Sequence, residues 1–264
     1  MKIWQADFYR RPLQNEAGET LWELLICDRD YLFTWEATCP QSQANVKWLT
    51  EQLQKAIKSQ KPELIQVFRP QSLNLIQLAA SNLGIAVEPT RRTFALKQWL
   101  QKRYQHNLVV DKPPPTPLTE NLWGEQWRFA TISAGDIVES FSQRLIPVKE
   151  MPEFLLPLNL GLASTVAIPG VVIDGGRKSM QLARWLQSVS PVALNYIPGE
   201  PSGLVLEAGL SDRWIVNTFT DKEVISAAVT YAQRQQLAKG LHFLLVQPDN
   251  SGMTYSGFWL LGQE

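Results

Sequence analysis

Apolar and polar residues alternate with a period of two in three stretches near the start of the chain. Residues 3–10, 21–27 and 33–38 are rich in aromatic and β-branched side chains, and an Asn-Glu-Ala-Gly-Glu run at 15–19 separates the first two. The pattern predicts a meander of antiparallel strands, with Pro40 stopping the third. The period then changes. Val46, Leu49, Leu53 and Ile57 share one stripe of a helix over 44–58, with Ser42 as candidate cap. A short apolar strand at 64–68 follows, then a helix from Ser72 to Gly84, a strand at 85–88 and a helix over 93–104. The order is βββαβαβα. That is the element order of the ribonuclease H-like fold, in which a meander is extended by parallel strands with crossover helices.

Residues 111–117, Asp-Lys-Pro-Pro-Pro-Thr-Pro, are too proline-rich for a helix or central strand and predict a stiff, extended spacer. The expected organisation is an N-terminal α/β domain at 1–106, a Pro-rich linker at 107–121 and a C-terminal α/β domain at 122–264. In the last of these, strands are expected at 127–131, 166–174, 192–197, 204–208 and 214–219. Helices are expected at 177–187 and 222–237, the second capped by Asp221. Residues 136–143 and 151–161 read as short helical or irregular stretches, and 242–247 with 254–261 as a closing hairpin.

Lys plus Arg equals Asp plus Glu at 25 each, so a global basic field is absent and any nucleic-acid contact must come from a local patch. Cys27 and Cys39 have neither CxxC spacing nor neighbouring histidines, so neither a disulfide framework nor zinc is expected, and no motif demands a cofactor. The N-terminus lacks a signal-peptide core, and no apolar run is long enough to span a bilayer. A cytoplasmic protein without direct membrane insertion is expected.

Candidate chemistry concentrates at one rim. If the first strand runs parallel to those at 64–68 and 85–88, their carboxyl ends share an edge of the sheet. Arg10, Arg11, Arg69, Arg91 and Arg92 then converge there, beside Tyr9 and Phe68. Open α/β sheets bind ligands at strand carboxyl ends, Arg forks suit phosphate, and aromatic rings stack on unpaired bases. The alternative is that these arginines pair with nearby acids and cap the sheet. Asp7, with Glu23, Glu36 and Glu88 nearby, raises the question of a metal-dependent nuclease, but Arg69 stands where such an enzyme needs another acid.

In the second half, Asp174-Gly175-Gly176-Arg177-Lys178-Ser179 runs from strand through a glycine turn into a helix. Free backbone N–H groups there, followed by Arg177 and Lys178, make a candidate anion site, though not a P-loop; paired glycines at such a turn are more often only geometry. His106 and His242 suggest no catalytic set. Trp123 and Trp127, just beyond the spacer, are the candidate exposed aromatics, unless they dock the linker onto a domain.

The segments WQADFYRRP (4–12), FRPQ (68–71), EPTRRT (88–93), NLWGEQWRF (121–129), PGVVIDGGR (169–177), GLHFLLVQPD (240–249) and GFWLL (257–261) resemble the Tab2/Atab2 family of cyanobacteria, algae and plants. The resemblance implies a non-catalytic RNA-binding factor for translation and assembly of photosystem I reaction-centre subunits; the alternative is an assembly factor for photosystem biogenesis that holds protein partners through the Trp123/Trp127 region and the C-terminal strand without binding RNA. Its partners would be single-stranded mRNA leaders, with ribosomes or nascent photosystem subunits, at the thylakoid surface. The lack of a transit peptide fits a cyanobacterial member. The family's Trp-Leu-Leu hallmark matches Trp259, Leu260 and Leu261, which implies RNA binding there, although alternation equally suits a core strand with Phe258 and Leu260 on one face and Trp259 and Leu261 on the other.

Overall fold

The computed structural model describes residues 2–104, 113–122 and 124–262. The chain divides into two compact units, Met1–Asp111 and Lys112–Glu264.

In the first unit, β1 (Ile3–Gln14), β2 (Thr20–Asp28) and β3 (Thr34–Pro40) form the meander, and α1 (Val46–Ile57), β4 (Leu64–Val67), α2 (Pro70–Ser81), β5 (Ala86–Pro89) and α3 (Phe94–Tyr104) follow. The sheet order is β3-β2-β1-β4-β5, with β4 parallel to β1 and β5 parallel to β4. This is the arrangement that the element order predicts. The cap of α1 is Asn45 rather than Ser42: its Oδ1 accepts from the Trp48 amide at 3.0 Å, while Ser42 lies in a separate 3-10 turn. Likewise α2 opens two residues earlier than expected, because Pro70 sits comfortably in the first turn of a helix. Trp4, Phe8, Ile26, Leu49, Leu53, Ile65 and Ile76 fill one core, where the Trp4 and Phe33 rings stack at 4.6 Å.

A buried ionic knot ties β1, β2, β3, the segment after β4 and α3 together. Asp7 is fully buried. Its Oδ1 accepts from Arg69 Nε at 2.8 Å and its Oδ2 from Arg11 Nη2 at 3.1 Å. Arg11 Nε also binds Glu23 at 2.8 Å. Arg103 bridges Glu23 and Glu36, each at 2.8 Å, and the Tyr104 hydroxyl donates to Glu23. Burial by itself lowers the Arg11 pKa, but Asp7 and Glu23 outweigh it and raise it, so the guanidinium stays charged. Two buried acids, Asp7 and Glu23, thus meet two buried arginines, Arg11 and Arg69, which is the condition under which interior charge is tolerated.

The second unit contains β6 (Thr116–Pro117), β7 (Gln126–Ser133), α4 (Ala134–Ser142), β8 (Val148–Glu150), β9 (Ala167–Asp174), α5 (Ser179–Val189), β10 (Pro191–Ile197), β11 (Ser202–Ala208), β12 (Asp212–Phe219), α6 (Lys222–Leu237), β13 (Leu241–Gln247) and β14 (Gly257–Gly262). One sheet has the order β10-β11-β12-β6 and the other β7-β9-β13-β14-β8. The end of the proline-rich stretch is not a free spacer. Thr116 and Pro117 pair with Trp214 and Ile215, and Leu118 and Leu122 are buried. Proline is tolerated because β6 is an edge strand, and the two leucines draw the stretch onto the sheet. Asp221 caps α6 as expected, accepting from the Glu223 and Val224 amides.

β14 lies between β13 and β8 and is buried on both faces. Trp259 and Leu261 join one core with Leu182, Leu204 and Tyr231. Phe258 and Leu260 join the other with Ile137, Phe141 and Phe243. A Cβ at Gly257 would collide with the Trp259 ring, so glycine is required there.

His242 on β13 links the two sheets. Its Nε2 accepts from the Leu194 amide at 2.8 Å, and its Nδ1 faces the Gly240 carbonyl at 2.8 Å, so both nitrogens are satisfied in the neutral ring. Burial pushes its pKa down to about 4.

Two outcomes follow. Between the ordinary histidine value and about 4, the unfolded chain binds a proton that the folded chain refuses. Stability attributable to His242 is therefore complete above about pH 6.5 and is lost as pH falls toward about 4, on the order of 3 kcal/mol in all. Urea unfolding across that range measures the loss, and His242→Gln, whose amide oxygen replaces Nε2 as acceptor for the Leu194 amide without a titrating ring, flattens it. Asp7→Asn leaves Arg11 and Arg69 under-compensated in the interior and lowers unfolding free energy by about 3–5 kcal/mol, read from the shift in urea midpoint.

Candidate nucleic-acid interface

The parallel pairing of β1, β4 and β5 places their carboxyl ends on one rim, and groups from separate stretches meet there. The Arg69 guanidinium lies 4.1 Å from the Tyr9 ring centroid and 5.0 Å from that of Phe68. Arg11 and Arg69, however, are not available to phosphate. They are 7% and 4% exposed and spend their donors on Asp7 and Glu23. Phe68, 2% exposed, offers no face to a base. Arg91 is buried and Arg92 half-buried, and neither is free. Arg10 is exposed and Tyr9 half-buried. The rim is thus largely a closed charge knot, because an interior carboxylate on the central strand must be neutralised by the nearest cations. The same geometry bears on metal binding. Both Asp7 oxygens are taken by guanidiniums, so two positive charges stand where a metal would have to approach. Glu88, another candidate ligand, accepts from Gln66 at 2.8 Å.

The glycine turn after β9 is also differently built from the anion site expected. The Gly175 amide donates to the Gln247 carbonyl at 2.8 Å, the Gly176 amide to that of Pro248 at 2.9 Å and the Lys178 amide to that of Gly175 at 3.0 Å. These N–H groups are spent inside the fold. Gly176 has φ 53°, and a Cβ there would strike the Glu125 carboxylate, which lies against it. The glycines therefore serve turn geometry and close approach. Asp174 is held by Arg128 and Gln247, each at 2.8 Å. Arg177 and Lys178 stand exposed at the head of α5. Trp259, Leu260 and Leu261 are 0%, 0% and 1% exposed, so this tripeptide is core and presents nothing to RNA.

Half-exposed aromatic surface occurs instead along β7. Among the described residues this strand pairs only with β9, which leaves its other edge unpaired beside α6. Trp127 and Phe129 meet edge-on at 5.3 Å; Trp127 leans on Phe219 at 5.6 Å, and Phe129 on Tyr231 at 5.1 Å. Trp127, Phe129 and Phe219 are all half-buried. Two cavities run along the groove. One of 460 Å³ is lined by Trp127, Arg128, Phe129, Glu223, Val224 and Ala227. The other, of 290 Å³, continues past Thr131 and Tyr231 to Arg234. The Arg128 side chain is 47% exposed, and Arg234 reaches across the groove to the Thr131 hydroxyl at 2.6 Å. Such a surface can stack bases and hold phosphates.

Of this groove, only Trp127 was legible as a candidate aromatic. Phe129 and Arg234 were not, since 103 residues separate Arg234 from the Thr131 it touches. The one available signal was the Trp127-Arg128-Phe129 alternation, which puts two aromatics on one face of an edge strand. His106 and Trp123 lie outside the described residues.

Comparison with known proteins supplies the identity. A family model described as "RNA-binding protein Tab2/Atab2 N terminal" matches residues 3–103, and one described as "RNA-binding protein Tab2/Atab2, C-terminal domain" matches residues 105–262. The "Protein TAB2 homolog, chloroplastic" of Zea mays is 30% identical over 285 residues, covering 99% of this chain and 71% of that protein. The Arabidopsis thaliana protein of the same name is 27% identical, covering 99% and 74%. Among solved structures, the magnesium-bound HTLV-2 integrase catalytic core domain aligns with 39% of this chain and 70% of its own, at 17% identity and a TM-score of 0.27. That superposition is too weak to bear on chemistry. With matches running through both units and over nearly its whole length, the chain belongs to the Tab2/Atab2 family of RNA-binding proteins.

Proposed function

We propose that this protein binds single-stranded RNA along the β7–α6 groove without cleaving it, and that it thereby serves translation and assembly of photosystem reaction-centre subunits. The observation that carries the site is the pair of half-exposed rings, Trp127 and Phe129, on an open strand edge flanked by Arg128 and Arg234. Every base has a π-face, so stacking on such rings tolerates varied sequence and contributes about 1–3 kcal/mol per base. Arg234 supplies a phosphate contact within the groove, and Arg128, held by Asp174, borders its edge. Exposed Arg177 and Lys178 at the head of α5, and Arg10 in the first unit, are further proposed contacts. With a formal net charge of zero, affinity should be modest and its salt slope shallow.

The RNA-binding description of the family and the chloroplastic naming of its plant relatives support the wider reading. In it, the RNA is an mRNA leader, and ribosomes or nascent photosystem subunits are the partners. No helix among the described residues is long and apolar enough to cross a membrane, which suits a peripheral association with thylakoids in this proposal. The non-catalytic part rests on Asp7, whose carboxylate is neutralised by two arginines.

Fluorescence anisotropy with a labelled single-stranded oligonucleotide tests the groove. Arg234→Ala weakens binding about tenfold and flattens the slope of log affinity against log salt by about one unit. Phe129→Ala weakens it comparably at unchanged slope. Wild-type affinity and slope in both variants would exclude the groove. RNA incubated with Mg²⁺ or Mn²⁺ stays intact; metal-dependent cleavage that disappears in folded Asp7→Asn protein would overturn the non-catalytic reading.

A further inference from the structure

A strand at the border of a sheet offers unpaired N–H and C=O groups to any other strand, and folds blunt such borders with proline, charge, bulges or short strands. Most borders of this fold are blunted in that way. β3 ends at Pro40 and carries Glu36, and β5 has four residues and ends at Pro89. β10 begins at Pro191, with a register shift before Ala193. β6 and β8 have two and three residues. Among the described residues β7 is the exception. It runs eight residues, from Gln126 to Ser133, without proline or lysine, and keeps register with β9 throughout. Its one charge, Arg128, is neutralised by Asp174 at 2.8 Å.

The charges beside β7 indicate what pairs with it. α6 runs alongside the strand in the same direction. Glu223, in its first turn, lies by Trp127 and Phe129, and Arg234, in its last turn, reaches Thr131. A two-fold axis perpendicular to the sheet at Phe129 maps this arrangement onto a second copy. β7 then runs antiparallel to its counterpart over residues 126–132, with Phe129 opposite Phe129 and Trp127 opposite Thr131. The half-buried Trp127 and Phe129 rings of both copies share one face of the joined sheet. Glu223 of each copy comes beside Arg234 of the other, so both ends of the contact are charge-complementary. Centring the axis on Arg128 instead would oppose two like charges, which disfavours that register.

We infer that this protein pairs with a second copy of itself through β7, forming one sheet across both copies, and that RNA displaces the second copy. The pairing stands apart from the RNA-binding reading above; the displacement rests on it. Pairing covers the backbone edge and the aromatic surface that β7 leaves open. Arg234 takes the Glu223 carboxylate of the other copy where RNA would present a phosphate, so the two occupants compete for one guanidinium.

Sedimentation equilibrium of the full-length chain over a wide range of concentration measures the pairing. The wild-type mass rises from that of one copy to that of two. Glu223→Arg and Arg234→Glu each put like charges at both ends of the contact and weaken pairing about tenfold or more. An equimolar mixture of the two variants restores it, because a copy with two arginines then meets a copy with two glutamates. That recovery is not one that misfolding can mimic. Wild type that keeps the mass of one copy throughout overturns the inference, as does a mixture that pairs no better than either variant alone. A short single-stranded oligonucleotide added to the wild-type dimer yields complexes of one copy; complexes that retain two copies overturn the displacement. An oligonucleotide that does not bind removes the RNA-binding reading and the displacement with it, and leaves the pairing standing.

Discussion

A carboxylate with no solvent exposure on the central strand of a sheet must be compensated where it stands, since an unpaired interior charge costs several kcal/mol. Asp7 imposes that constraint on the first unit. Arg11 from the same strand and Arg69 from the turn after β4 reach it from two sides, and Arg11 carries the linkage on to Glu23. Arg103 and Tyr104 extend it to α3 and β3. The knot therefore fixes how the parallel strands, the meander and the last helix meet. It also determines chemistry, because cations that neutralise Asp7 cannot also hold a phosphate, and a carboxylate so held is closed to a metal.

The second unit solves a different problem. β9, β13 and β14 are apolar on both faces, and each face feeds a separate core. His242 is buried in this interior with Tyr231, and it is accommodated only as the neutral ring. With the central strands committed to packing, half-exposed aromatic surface is left to the margin along β7. Trp127 lies on this margin, packed against Phe129 and Phe219 yet still half exposed.

Much of the architecture was written in local pattern. Alternation at 3–10, 21–27 and 33–38 marked the meander, the stripe of Val46, Leu49, Leu53 and Ile57 marked α1, and Asp221 marked the start of α6. Failures were of two kinds. β6 and β8, at two and three residues, are too short to show any period and exist only because a longer neighbour pairs with them. Residues such as Arg11, Arg69, Phe68 and the Trp259-Leu260-Leu261 run were visible by type but not by exposure, and exposure decides whether a guanidinium or ring is a ligand contact or part of the core.

The sequence by itself determined the α/β class, the order of elements and the family, since propensity, period and motif are properties of neighbouring residues. Tertiary structure alone decided which charges are neutralised and which rings remain open. Both depend on contacts between residues tens of positions apart, such as Asp7 with Arg69 or Arg234 with Thr131. Local pattern carries no record of such distances, and burial, which turns a charge from a binding group into a structural one, is defined only once they are closed.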